Sequence, residues 1–392
     1  MTRTARLTGQ GLRRFRTGHP WIYRDDVAQV AAEDGDLVEV QDPGGHTVGH
    51  AFHSAHSKIA LRVCTWGDAD LPELDRWFAQ RLTAAVARRA PLASAGDACR
   101  LVASEADGLP GLIADRYAGV LVLQTLTPGM ERNLTRIVPP LVAALDPTMI
   151  LLRNDAHVRE LEGLPREVRM VHGKRVDEVE FEEWGLRFRI QPWTGHKTGF
   201  YLDQRSARHR VRELMPKGGR MLDLCSYLGG FALNALVAGA AEAVAVDQSE
   251  EALAQAKTGA ERNGLTGLTT LPGNVFDVAR ALVEDRQEFD LLVLDPPAFA
   301  KSRREVEGGV RGYLDLNRRA FELLKPGGML VSCSCSYHVT EPLFVDILRE
   351  ASARSGRRAL LRERVPAGID HPVFLTLPES DYLKVMVVEV VE

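Results

Sequence analysis

The chain has 392 residues, 45% of them apolar, and a formal net charge of −4, so it is long enough for two or three domains with separate cores. This charge excludes a general attraction to nucleic acid, and any such contact must come from a local basic patch. The chain opens with no apolar signal segment and contains no apolar run of membrane-spanning length, which argues against secretion and membrane insertion. Five scattered cysteines without a C-x-x-C pair fit a reducing cytoplasm and predict no zinc site.

The first segment predicts a small β-rich module with a basic start. No acidic residue precedes Asp25, and the arginines before it are Arg3, Arg6, Arg13, Arg14, Arg16 and Arg24. Strand-like runs at residues 36–40 and 59–63 lie on either side of a turn at 42–45, where the sequence reads DPGG. The arginines fit an RNA-binding patch or a solvated arm equally well, because arginine outnumbers lysine throughout the chain.

The second segment, residues 71–175, predicts a small α+β domain. A helix is expected over residues 74–90, short strands on both sides of turns at 107–108 and 110–111, a helix over 130–145 and a strand over 149–153. Glu105, Asp107 and Asp115 are of the residue type that binds metals. No histidine accompanies them and turn carboxylates are common, so no metal site is predicted.

The third segment, residues 176–392, contains a pattern typical of ligand-binding sites. It predicts a strand, a glycine turn at Gly229 and Gly230, and a helix. The next strand ends at Asp247, at a distance from Asp223 typical of nucleotide-binding folds, in which the second acid accepts ribose hydroxyls. There is no G-x-G-x-x-G to hold a pyrophosphate. The carboxylate of Asp223 instead suits a ligand with a positive amino group, such as S-adenosylmethionine. Asn274 ends a third strand-like run, either as an adenine contact or as a plain turn residue.

Two further signatures each follow a buried strand. The sequences FDLLVLDPPAF and KPGGMLVSCSCSY predict strands at residues 291–294 and 329–331, joined by a helix over 313–324 as a βαβ unit. Ligands bind at the carboxyl ends of parallel strands, so Asp295 and the cysteines Cys333 and Cys335 are expected at one crevice. The two prolines after Asp295 make a rigid corner that presents its carboxyl group.

Several motifs in order carry a family resemblance. They read HPWIY, EADGLPGLIADRY, YLDQR, SYLGGFALNAL, VDQSEEAL, NVF, LDPPAFAKSR, GYLDLN, SCSYHVTEPLF and DHPV. Together they resemble the RlmI-like large-subunit rRNA cytosine-5 methyltransferases over almost the whole chain. The resemblance implies an α/β protein: a PUA-like RNA-binding domain at 1–70, a central α+β domain at 71–175 and a Rossmann-like class I methyltransferase domain at 176–392. It also implies a final antiparallel strand, for which the run 382–391 is suitable.

The resemblance further implies a cofactor, a partner and roles for individual residues. The cofactor is S-adenosylmethionine, and the partner is 23S rRNA, naked or partly assembled, in the cytoplasm, with a homodimer left open. The family's nucleophilic cysteine falls on Cys335, with Cys333 one pleat away on the same face of an extended strand as the fallback. Its ribose-binding acid falls on Asp247 and its adenine-side acid on Asn274, where the amide departs from the pattern. Cys225 and Leu228 also depart from the expected phenylalanine and threonine.

The predicted site residues form three sets. Catalysis is assigned to Cys335 and Asp295. Cofactor contacts are expected from Asp223, Ser226, Gly229, Gly230, Phe231, Asp247, Asn274 and Asp295. RNA contacts are expected from Arg13, Arg14, Arg16 and Lys301, although a solvated basic loop fits Lys301 nearly as well.

The expected chemistry requires these residue types. Carbon 5 of cytosine is a weak nucleophile, so a Cys335 thiolate must first add to carbon 6, while a protonated Asp295 donates to nitrogen 3. The sequence does not identify the base that removes the carbon-5 proton. Two rivals stay open: methylation of an exocyclic amine of adenine or guanine in RNA, and a non-catalytic RNA-binding ribosome assembly factor. The first is weakened because Ala298 displaces the aromatic residue of its motif to Phe299.

Overall fold

The computed structural model describes residues 3–68, 73–300 and 302–391. They group into two compact units. The first unit contains the chain up to Glu183 together with Ile190–Leu202 and Ile369–Ser380. The second contains Trp184–Arg189, Asp203–Gly368 and the chain from Asp381 onwards. No helix within the described ranges is both long and apolar enough to cross a bilayer.

The first unit begins with a six-stranded sheet of order β2-β6-β5-β4-β1-β3. Its elements are β1 (Thr4–Leu7), α1 (Gly9–Arg16), β2 (Trp21–Tyr23), β3 (Val27–Ala31), β4 (Leu37–Gln41), β5 (Thr47–His53) and β6 (Ile59–Trp66). Strands β4 and β6 confirm the two strand predictions made for this segment. Helix α1 starts where the Thr8 hydroxyl accepts the backbone N–H of Gly11 at 3.0 Å, which satisfies one of the free donors of the first turn.

A five-stranded sheet of order β11-β10-β9-β8-β7 follows in the same unit. Its elements are α2 (Leu74–Arg88), β7 (Ala98–Ala103), β8 (Leu112–Tyr117), β9 (Val120–Thr125), α3 (Pro128–Arg132), α4 (Leu134–Leu145), β10 (Met149–Asn154), α5 (Val158–Leu161) and β11 (Glu167–Gly173). The helix predicted over 130–145 is two helices, because the Asn133 amide closes α3 by donating to the Gly129 carbonyl at 2.7 Å. The domain boundaries at residues 70 and 175 stay a prediction.

The acidic residues of the middle segment bind side chains of this unit. Asp107 is paired with Arg89 at 2.7 Å, and Asp115 with Arg100 at 2.8 Å. Glu105 accepts the indole N–H of Trp21 at 2.8 Å. Buried carboxylates need partners of this kind, so these three side chains have structural roles in the unit.

The second unit contains the larger sheet. Its helices are α6 (Arg205–Leu214), α7 (Gly230–Val237), α8 (Glu250–Arg262), α9 (Val275–Glu284), α10 (Val306–Glu322) and α11 (Glu341–Ser355). Its strands are β14 (Arg220–Leu224), β15 (Glu242–Asp247), β16 (Leu268–Pro272), β17 (Phe289–Leu294), β18 (Leu324–Ser334), β19 (Ala359–Arg364) and β20 (Lys384–Val390). Two further short strands follow β11 along the chain, β12 (Val179–Glu183) and β13 (Leu186–Ile190).

The seven strands lie in the order β16-β15-β14-β17-β18-β20-β19. Strands β14 to β18 are mutually parallel, and β20 pairs with β18 in the antiparallel sense. The predicted final antiparallel strand is therefore confirmed. Residues 291–294 of β17 are each 0% exposed, because helices cover both faces of a parallel sheet.

Two element starts differ from the sequence predictions. Strand β18 begins at Leu324 and bulges through residues 325–328, so that Leu324 lies opposite Phe289 and regular pairing resumes with Met329 opposite Leu291. Helix α10 begins at Val306, well before the predicted residue 313. Its first turns contain Gly308 and Gly309, which periodicity does not register. A Cβ on Gly309 would lie 3.1 Å from that of Ala300, so a small residue permits this close packing.

Candidate active site

The predicted functional residues of the second unit meet at the carboxyl ends of its parallel strands. Asp247 ends β15, Asp295 follows β17 and Cys335 follows β18, while Asp223 is the penultimate residue of β14. The strand order reverses at β14, which lies between β15 and β17, and such a reversal opens a ligand crevice in this class of sheet. The negative charges of Asp295 and Asp247 both act on Asp223. The structure thus brings the three carboxyl groups together as expected.

The loop between β14 and α7 has an unusual backbone. Cys225, Tyr227 and Gly229 have φ angles of +67°, +50° and +70°. Left-handed backbone costs a non-glycine residue about 1–2 kcal/mol, so other contacts must hold the loop. The N–H of Ser226 donates to the Val246 carbonyl at 2.9 Å, and that of Tyr227 donates to the Asp247 carboxylate at 2.8 Å. Sequence reasoning found the glycines but missed the left-handed cysteine and tyrosine, which no residue type signals.

Replacing Gly229 by alanine is expected to lower both stability and cofactor affinity. Its φ of +70° is unfavourable for alanine, and the new Cβ would lie 3.0 Å from the Cβ of Ala256. Gly218 offers a matched control, because its φ is +72° and a Cβ there would meet nothing within 4 Å. The left-handed backbone should cost each variant about 1–2 kcal/mol in urea unfolding, and the close contact with Ala256 should add to the loss in Gly229→Ala. Only Gly229→Ala should weaken S-adenosylhomocysteine binding in calorimetry, and an equal loss with Gly218→Ala would contradict this.

Asp223 is a buried carboxyl group with a free acceptor. It is 0% exposed, and its Oδ2 accepts the Ala232 N–H at 3.1 Å. Its Oδ1 has no hydrogen-bond partner within the described ranges, and neither has the buried hydroxyl of Ser226. Burial, followed by the charges of Asp295 and Asp247, raises the pKa of Asp223 to about 8. An unsatisfied buried acceptor among carboxylates fits a cationic donor, so these residues suit the amino group of S-adenosylmethionine.

Asp247 and Asn274 both retain hydrogen-bonding capacity. The two carboxylate oxygens of Asp247 accept the N–H groups of Tyr227 and Ser249 at 2.8 and 2.9 Å. Each oxygen keeps a second lone pair, as ribose hydroxyls require. The exposed Asn274 caps α9 by accepting the Phe276 N–H at 2.9 Å. Its amide NH₂ has no partner among the described residues, so an adenine contact stays a prediction beside the structural role.

The remaining predicted cofactor residues start helix α7. Gly230 is its first residue and accepts the Asn234 amide through its carbonyl at 2.8 Å. Phe231 is 5% exposed. Both lie directly after the left-handed loop, and their contacts with a cofactor stay predictions.

Serine side chains at the end of β18 and just beyond it anchor the cysteine segment to α10. The Ser332 hydroxyl donates to Asn317 at 2.6 Å, and the Ser334 hydroxyl donates to the Tyr313 hydroxyl at 3.1 Å. The Ser336 hydroxyl lies 3.0 Å from the same Tyr313 oxygen. Cys335 is therefore held between two anchored serines.

The structure separates the two candidate cysteines. Cys335 is half-buried, whereas Cys333 is fully buried. Burial, followed by the charge of Asp295, raises the pKa of the Cys333 thiol well above its ordinary value. The expectation that both occupy one extended strand face needs correction, because β18 ends at Ser334 and Cys335 lies beyond it. A nucleophile must be accessible, so the half-buried Cys335 is favoured over the fully buried Cys333.

The predicted RNA contacts have different surroundings. Arg13 and Arg16 are exposed on α1. Arg14 is held within its own unit, because it pairs with the buried Asp26 at 2.8 Å and lies over the Tyr23 ring at 4.7 Å. Lys301 lies outside the described residues. These arginines belong to the first unit and the carboxylates to the second.

Sequence reasoning missed two residues around Cys335. Tyr313 lies in the GYLDLN motif, and its hydroxyl joins two serines. Lys384 lies in the apolar run that predicted the final strand, yet it is only 7% exposed. A single lysine in an otherwise apolar predicted strand could have identified Lys384 as a functional candidate.

Comparisons with known proteins match two parts of the chain to described families. Residues 5–66 match the family described as a PUA-like domain, and residues 153–377 match the family described as an S-adenosylmethionine-dependent methyltransferase. The protein named ribosomal RNA large subunit methyltransferase I from Aeromonas salmonicida is 40% identical over 377 residues, covering 94% of this chain and 95% of its own. Its namesake from Aeromonas hydrophila is 39% identical over 378 residues, with the same coverage.

Solved structures show the same fold. An S-adenosylmethionine-dependent methyltransferase from Streptococcus mutans superimposes with a TM-score of 0.83 at 18% identity, covering 100% of both chains. A methyltransferase solved as a complex with SAH gives a TM-score of 0.86 at 19% identity, again over 100% of both chains. The chain therefore belongs to the S-adenosylmethionine-dependent methyltransferases, in the family named ribosomal RNA large subunit methyltransferase I.

Proposed function

We propose that this protein uses S-adenosylmethionine to form 5-methylcytidine in 23S rRNA, through a covalent adduct between Cys335 and carbon 6 of the cytosine. The observation that carries the proposal is the half-buried Cys335 at the end of β18, in the same row of strand ends as Asp223, Asp247 and Asp295. The names of the relatives support a large-subunit rRNA substrate.

Several residues of the second unit are suited to hold the cofactor. The free Oδ1 of Asp223 would accept the amino group, Asp247 the ribose hydroxyls, and the amide of Asn274 would reach the adenine edge. The glycine at 229 lets the loop backbone approach closely. When bound, S-adenosylmethionine supplies an electrophilic methyl group on its sulfonium.

The chemistry on the base follows from Cys335 and Asp295. The Cys335 thiolate forms a bond to carbon 6, and the displaced π electrons reach nitrogen 3, where a protonated Asp295 donates its proton. Carbon 5 is now enamine-like and can accept the methyl group. A base then removes the carbon-5 proton, the double bond re-forms, the Sγ–C6 bond breaks, and the nitrogen-3 proton returns to Asp295. The charge of Asp295 also acts on the nearby Asp223, so full ionisation of both carboxyls is disfavoured.

The favoured substrate is rRNA whose target cytosine is not yet base-paired or enclosed in the folded RNA. Flipping a paired base costs a few kcal/mol, so naked or partly assembled rRNA with an unpaired target is the favoured substrate. We propose the cytoplasm as the compartment of this reaction. A homodimer stays a prediction, which sedimentation of the full chain would check.

The PUA-like domain is proposed to bind RNA phosphates through Arg13 and Arg16. Replacing both by glutamine should lower rRNA affinity and reduce the slope of log K against log salt by roughly 0.7–0.9 per lost phosphate contact. Fluorescence anisotropy at several salt concentrations measures the slope. Arg14→Gln is the matched control, since this side chain already pairs with Asp26. It should lower stability and leave the slope unchanged, and a smaller slope from Arg14→Gln alone would contradict the assignment.

A covalent trap tests the proposed function. Protein, S-adenosylmethionine and rRNA containing 5-fluorocytidine are combined and run on a denaturing gel, beside Cys335→Ala and Cys333→Ala. Fluorine at carbon 5 blocks the final elimination, so the wild type should give a stable adduct that only Cys335→Ala abolishes. Methyl incorporation into unmodified rRNA without any adduct would favour the exocyclic-amine reaction. Absence of S-adenosylmethionine binding would favour the assembly factor.

A further inference from the structure

Lys384 places a buried positive charge in strand β20. The rest of the strand reads VMVVEV, and Lys384 is only 7% exposed. Its ammonium donates to the carbonyls of Ser336 and Tyr382, both at 2.8 Å. No carboxylate of residues 3–68, 73–300 or 302–391 forms an ion pair with it. Burying an ammonium without an opposite charge is strongly unfavourable, so a cation in this position points to an anion that completes the site.

Lys384 contacts the residues on both sides of Cys335. Lys384 lies directly opposite Ser334 in the antiparallel register. Its ammonium contacts the carbonyl of Ser336. These are the two residues on either side of Cys335, and both are fixed to Tyr313 through their hydroxyls. An ammonium has three N–H donors. The two carbonyls accept two of them, and the third remains available to an acceptor.

The electrostatics agree with this geometry. Burial is the largest influence on Lys384 and lowers its pKa, whereas negative charge at Cys335 favours the ammonium form, ahead of Asp381 and Glu341. Glu341 is itself paired with Arg364 at 2.7 Å. Three groups whose titration responds to Cys335 are Tyr313, Cys333 and Lys384. Of these three, Lys384 alone can carry a positive charge.

We propose that Lys384 is a positioning residue that stabilises the Cys335 thiolate through its buried ammonium and by fixing the Ser336 carbonyl. The thiol proton leaves to water, and Lys384 keeps its own proton throughout. The same ammonium faces the thiolate when the Sγ–C6 bond breaks at the end of the reaction, so it favours both attack and release. This inference rests on the proposed function, in which Cys335 is the nucleophile.

Alkylation of the full-length protein tests the proposal without RNA. Wild type, Lys384→Met and Lys384→Arg are treated with iodoacetamide across a range of pH, and each cysteine peptide is quantified by mass spectrometry. The half-buried Cys225 of the same molecule serves as an internal reference for local opening. In Lys384→Met, alkylation of Cys335 near neutral pH should slow by about tenfold, because only the thiolate reacts. Lys384→Arg, which keeps the charge, should lie between the two.

The alternative is a lysine that merely fastens the backbone. In that case Lys384→Met would leave the pH profile of Cys335 alkylation unchanged while Cys225 became more reactive, and the proposal would be overturned. An unchanged profile at both cysteines would overturn it as well. A lysine effect on Cys335 with no 5-fluorocytidine adduct in the wild type would instead refute the proposed function and leave the thiolate partner in place. The two failures are therefore distinguishable.

Discussion

Cys335→Ala is expected to reduce methyl incorporation into 23S rRNA by at least about 10³-fold, as loss of a covalent nucleophile does in other enzymes. Without the thiolate, carbon 5 of cytosine is not activated, and neither cofactor nor RNA binding replaces that step. Single-turnover transfer of labelled methyl groups measures the loss. Cys335 lies after β18 and is not among the predicted cofactor residues, which lie on or after β14, β15, β16 and β17. Affinity for S-adenosylhomocysteine should therefore stay within about twofold in this variant.

Cys333→Ala is the matched control for this prediction. Cys333 is fully buried, and its raised pKa reflects that burial first. Removing the sulfur should cost roughly 1 kcal/mol in stability, like other small truncations in a core. Methyl transfer at saturating substrate should be retained. A larger catalytic loss in Cys333→Ala than in Cys335→Ala would contradict the proposal and identify Cys333 as the nucleophile.

Asp223→Asn is expected to act in opposite directions on binding and on stability. The carboxylate that would accept the cofactor amino group is lost, and a hydrogen bond to a charged group contributes about 1.5–3 kcal/mol, so affinity should fall roughly 10- to 150-fold. Calorimetry with S-adenosylhomocysteine measures this loss. Below pH 8 the wild type should release a proton on binding, because its carboxyl pKa is about 8 without ligand. The variant should release none at this site.

The stability change has a definite sign. The pKa of Asp223 is about 8 in the folded protein and about 3.9 in an unfolded chain. The folded state therefore holds a proton that the unfolded state has lost, and wild-type stability falls as pH rises through this interval, by up to about 1.4 kcal/mol per pH unit. Asparagine does not titrate. The unliganded variant should gain relative to the wild type from about pH 4 to about pH 8 and level off above.

Urea unfolding across this range measures the gain. Asp247→Asn is the matched control, because this half-buried carboxylate accepts two backbone N–H groups. It should lose cofactor affinity but keep the buried Asp223 carboxyl, so its stability should still fall as pH rises. A pH-independent difference between Asp223→Asn and the wild type would contradict a proton held by Asp223.

The sequence predicted those features whose causes are local. Residues 291–294 were recognisable as a strand because a doubly buried strand needs a short apolar run, and all four are fully buried. Gly229 and Gly230 marked a turn, and the φ of +70° at Gly229 is one that glycine favours. The break at Asn133 was missed, since an amide that closes one helix before the next resembles any polar position within a helix.

The site was predictable where a single residue defines the chemistry, and not where distant residues do. Asp223, Asp247, Asp295 and Cys335 stand at strand ends that topology aligns. The raised pKa of Asp223 depends on burial and on two acids far along the chain. The contact between Lys384 and the Ser336 carbonyl spans 48 positions and depends on the antiparallel pairing of the last strand. Neither effect has a local signature.

The backbone hydrogen bonds of the loop between β14 and α7 also determine how far its amino-acid sequence can change. The backbone N–H groups of Ser226 and Tyr227 donate the hydrogen bonds that hold the loop to Val246 and Asp247. These bonds therefore do not depend on the side chains at positions 226 and 227. Substitutions such as Cys225 and Leu228, in place of the expected phenylalanine and threonine, can therefore accumulate without loosening the turn. Divergent relatives should keep the backbone conformation of this loop after its sequence has changed. A search for such proteins should therefore use the loop backbone together with Asp223 and Asp247, and not the sequence motif of the loop.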